Sequence, residues 1–80
     1  MNKRENKEGP DSCWNKADDD ETLFILLARD EAGPETVNFW CDERIRLGLN
    51  KETDLKIHSA RRIARQMKEE FQQRKARREA

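Results

Sequence analysis

Cys13, Cys41 and His58 are the thiols and the imidazole of this chain, and their spacing assembles no site. His58 is the single histidine, so one chain cannot build a His-pair metal site or a second-histidine proton shuttle. A zinc site from Cys13, Cys41 and His58 would lack a fourth ligand and any local spacing motif. A Cys–His dyad needs an accessible thiol, whereas Cys41 falls on an apolar stripe, where cysteine behaves as a small buried hydrophobe. Asp18, Asp19, Asp20 and Glu21 form a dense carboxylate tract. Consecutive residues entering a helix fan around its circumference instead of converging on one ion, and the D-x-D-x-D-G spacing of an EF-hand is absent. No Gly-rich phosphate loop, GxSxG or HExxH occurs. The expectation is a protein that is not an enzyme and takes no metal or cofactor.

Chemistry by binding remains, and charge is its first guide. The 17 Lys and Arg balance 17 Asp and Glu in a chain that is 42% charged, far above the roughly 25% of an average domain. The balance hides a segregation: residues 1–55 carry eight basic and fourteen acidic side chains, residues 56–80 nine basic and three acidic. The chain is an electrical dipole whose halves are free to meet partners of opposite sign, including a second copy. Only 34% of residues are hydrophobic. At about 25 cal/mol per Å² their burial roughly cancels the ordering entropy of so short a chain, so self-association or a partner would add needed stability. No apolar run is long enough to span a membrane, and the start of the chain lacks the apolar stretch of a secretory signal. Two cysteines 28 residues apart do not make a disulfide framework. These features predict a cytoplasmic protein with reduced thiols and no membrane partner.

The elements that must present any binding surface follow from periodicity. Residues 1–17, with the Gly9-Pro10 breaker pair, mixed charge and no periodicity, read as a flexible, disordered arm. Trp14 stands out in it: such a residue is expected to fold back as an anchor, taking Cys13 with it, the alternative being an exposed partner-binding tryptophan. Residues 18–80 read as one all-α domain of three helices. The first, about 21–31, holds the run Leu23, Phe24, Ile25, Leu26, Leu27, Ala28, with Asp20 as N-cap. Periodicity over six residues cannot separate a buried helix from a strand, but Leu and Ala favour helix and no second strand exists to pair with. Gly33-Pro34 then opens the second helix, about 34–47, with Val37, Cys41, Ile45 and Leu49 at i+4 spacing and Trp40 beside them. After Thr53 and Asp54 as caps, the third helix, about 52–78, is long and basic. Ile57, Ala60, Ala64, Met67 and Phe71 form its stripe, widened by Ile63, and the last two turns project.

Phe39 and Leu47 fall off the stripe of the second helix, which marks either a doubly covered helix or an exposed contact patch. With Trp14, Asp18, Asp19, Asp42 and Glu43 they form the candidate protein-binding set, the acids also offering a mimic of DNA phosphates. A homodimer burying the alanine-rich stripe and Phe39 or Leu47 is a further expectation. The second and third helices superficially suggest a helix-turn-helix, yet Lys51, Glu52, Thr53 and Asp54, which would enter the groove, are net acidic. The alternative partner is nucleic acid held without sequence readout by Arg61, Arg62, Arg65, Lys68, Arg74, Lys75, Arg77 and Arg78.

Part of the chain resembles a known group. Cys13-Trp14-x-Lys16, Asp19-Asp20-Glu21-x-x-Phe24-x-Leu26-x-Ala28-x-Asp30 and Pro34-x-x-Val37-x-x-Trp40 resemble short uncharacterised proteins of tailed phages and prophages. Leu27 and Gly33 depart from that pattern, which has Arg and Ala there. The resemblance spans about residues 13–40. It implies a small accessory protein that binds a host protein, as an inhibitor of host defence or a regulator of host machinery, and assigns no residue a role.

Overall fold

The computed structural model of the chain describes residues 2–9 and 12–79, with the backbone alone at residues 78 and 79. The expectations for Pro10 and for the Arg78 side chain lie outside the described residues. Within them all regular structure is helical: α1 (Lys3–Glu8), α2 (Cys13–Lys16), α3 (Gly33–Arg46) and α4 (Leu55–Glu79). The protein is a small all-α fold, and its long basic C-terminal helix is present as expected.

The arm contains α1 and α2, which pack on each other and on neither α3 nor α4. At six and four residues they are far below the roughly 12–15 residues at which an isolated helix becomes even marginally stable in water. Helices this short do not hold by themselves, in keeping with the flexible arm the sequence predicts, and side-chain caps define them. Asn2 accepts a hydrogen bond from the Glu5 amide at 2.9 Å. Buried Ser12 accepts from the Asn15 amide and donates to the Asn6 carbonyl. The Asn15 side-chain amide donates to the carbonyls of Lys7 and Gly9 at 2.9 and 2.6 Å. Trp14 does not anchor this arm to the hairpin: α2 makes no packing contact with α3 or α4, and the indole is 45% exposed, with Cys13 exposed beside it.

The expected first helix at 21–31 does not form. Residues 22–27 run without regular structure between two turns. The first turn closes through the Glu21 amide on the Asp18 carbonyl (2.9 Å), while the Glu21 carboxylate accepts from the Asp18 amide (3.1 Å), so Asp20 caps nothing. The second is a chain of bonds from the Asp30 amide to the Leu27 carbonyl, the Ala32 amide to the Asp30 carboxylate and the Gly33 amide to the Asp30 carbonyl. The physical reason is tertiary. An eleven-residue helix needs a buried face, and the stripes of α3 and α4 are covered by each other and not by residues 21–31.

That α3–α4 hairpin holds the core: Cys41 from α3 against Ile57, Ala64 and Met67 from α4. Val37, Ile45, Ala60, Ile63 and Phe71 flank it, half-buried. The helices approach closely at one end, where a Cβ on Gly33 would stand 2.6 Å from the Met67 methyl. Pro34 occupies the first turn of α3, where its missing N–H costs nothing. At the other end Gly48 adopts φ +74°, and the amides of Gly48 and Leu49 bond back to the carbonyls of Ile45 and Arg44 at 3.0 Å each, a Schellman closure. This turn swings Leu49 out of the expected stripe and leaves it exposed. Asp54 precedes α4: its carbonyl accepts from the amides of Ile57 and His58, and its carboxylate from the Lys51 amide and the Asn50 side chain.

Candidate functional site

The buried stripe of α3 fixes what the helix shows outside. With Val37, Cys41 and Ile45 turned inward, Phe39 stands on the opposite side and Leu47 two turns further on. Phe39 is 65% and Leu47 57% exposed, which settles their alternatives in favour of an exposed patch. Glu35, Thr36, Asn38, Phe39 and Asp42 line an open groove along this face. Trp40 lies at the boundary between core and surface, with the Arg44 and Lys56 cations 5.5 and 5.8 Å from its ring centre. These cation–π contacts tie α3 to the start of α4, and the Trp40-to-Arg44 spacing of one helical turn was their only sequence signal.

The candidate acids divide by what they touch. Asp42 accepts from Arg61 at 2.9 Å, and Glu43 holds Arg46 through two bonds of 2.7 and 2.9 Å. The Arg46 bonds hold the Glu43 carboxyl below the usual carboxylate range and raise the guanidinium. The face is therefore less acidic than its residue types suggest. Asp18 and Asp19 are exposed at the turn before residue 22 and form no ion pair with any described residue. They lie on a different element from Phe39 and Leu47, so the protein-binding set is split between α3 and the segments preceding it.

Among the basic candidates, Arg61 is committed to structure. Its guanidinium grips both Glu52 oxygens at 2.9 and 3.0 Å, reaches Asp42, and approaches the Asn38 side chain at 3.4 Å. Hydrogen bonds to Glu52, then to Asp42, raise its pKa further above its already high value. This clamp joins α3, the interhelical loop and α4. Arg62, Arg65, Lys68, Arg74, Lys75 and Arg77 are exposed and make no ion pair with a described residue.

Cys41 is fully buried, and burial pushes its thiol up, against the weaker opposing pull of Arg61. A protonated, enclosed thiol is a packing group, not a nucleophile. Among the described residues no three His, Cys, Asp or Glu side chains converge as metal ligands, and no helix is long and apolar enough to cross a membrane. Sequence reasoning missed the Arg44–Asn50–Asp54 chain of bonds, 2.7 and 3.0 Å long, which locks the interhelical loop. Compared with protein-family models, curated proteins and solved structures, the chain matches none.

Proposed function

We propose that this chain is a small accessory protein of the tailed-phage and prophage type that works in the host cytoplasm by stoichiometric binding to a host protein, inhibition of host defence and regulation of host machinery being the two forms such binding takes. The observation that carries the reading is the outer face of α3. Phe39 and Leu47 expose large apolar surface there, beside the groove bounded by Glu35 and Asp42. Aromatic side chains in partly desolvated grooves with polar rims are where binding energy concentrates. A domain with so few buried side chains would gain stability from covering this face.

The test is capture from host lysate by the tagged full-length chain, with native mass spectrometry of the recovered complex. Replacing Phe39 and Leu47 by serine is expected to cut recovery at least about tenfold, as for loss of a 2 kcal/mol hot spot, with helicity unchanged. A complex with fixed stoichiometry that the variant loses supports the reading. No complex, or one recovered equally by the variant, overturns it.

A second reading is favoured by the unpaired cations on α4: non-specific nucleic-acid binding by Arg62, Arg65, Lys68, Arg74, Lys75 and Arg77. It calls for titration of duplex and single-stranded DNA and of RNA at two salt concentrations. A steep fall of affinity with salt, lost on replacing Arg74, Lys75, Arg77 and Arg78, would support it; weak, salt-insensitive binding would dismiss it.

A further inference from the structure

We draw no further inference here: the strongest candidate, the apolar surface patch that Leu23, Phe24, Ile25 and Leu27 expose between the two turns preceding α3, carries nothing because nothing in the structure shows what covers it.

Discussion

Two apolar regions of this protein meet opposite fates. Residues 23–27 are five consecutive large apolar side chains, the densest run in the chain, yet Phe24 is 83% exposed and Leu23, Ile25 and Leu27 are open. The stripe on α4 is thin, its members diluted by Arg, Gln, Lys and Glu, yet Ile57, Ala64 and Met67 are buried. The difference teaches that spacing, not density, decides what enters a small core. Residues spaced three and four apart on a long helix aim at one partner and are covered together. A continuous run points all ways, and the shared interface of a two-helix hairpin does not enclose it.

Isoleucine allows the comparison to be broken residue against residue. Ile57→Ala removes a fully buried side chain and should cost about 2–5 kcal/mol, enough to unfold much of a domain this size. Ile25→Ala, at 59% exposure, should stay within about 0.5 kcal/mol. Urea denaturation checks both. Equal effects would mean that the segment at 22–27 is covered in the folded monomer.

Gly48→Ala probes the buried region at its closing turn. The φ of +74° places a side chain in the left-handed region at about 1–2 kcal/mol, and nothing stands within 4 Å of the added Cβ, so strain alone is measured. The melting temperature should fall by several degrees, and a Gly48→Asn variant, better tolerated in this conformation, should recover part of the loss.

The smallest effect is on pH. The Lys51 amide, with the Asn50 side chain, holds the Asp54 carboxyl below its usual range, and Arg46 does the same for Glu43. A carboxyl depressed in the folded state contributes stability that is complete above the unfolded value, about 4, and is lost as pH falls through the lower folded value. Stability should hold from neutral pH down to about that value and decline below it. Asp54→Asn should flatten the acid limb, measured by thermal melts between neutral and acid pH.

Much of the hairpin was legible in the sequence. Val37, Cys41 and Ile45, and Ile57, Ala60, Ala64 and Met67, are each inward by helical period, and Pro34 and Gly48 punctuate α3 where cap chemistry expects them, whereas the Asp54 carboxylate turns back to Lys51 and Asn50 instead of capping α4. Phe39 and Leu47 were visible as misfits to the stripe, and they are exposed. The segment at 21–31 was not legible, because a helix there is decided by whether a third face exists to receive it. Arg61 was equally opaque: its partners Asp42 and Glu52 lie nineteen and nine residues away, beyond any local pattern, so it read as one more cation for a partner instead of the clamp of the hairpin.

By itself the sequence determined the all-α class, the two long helices, their inward faces and the charge segregation, since these depend on periodicity, capping and counting within a few turns of chain. The tertiary structure alone decided which of the remaining apolar and charged residues were used up. Packing α3 on α4 consumed the alanine stripe, Cys41, Arg61 and Asp42, and left Phe39, Leu47 and residues 22–27 uncovered. Two helices have only one shared interface, and what does not reach it stays on the surface.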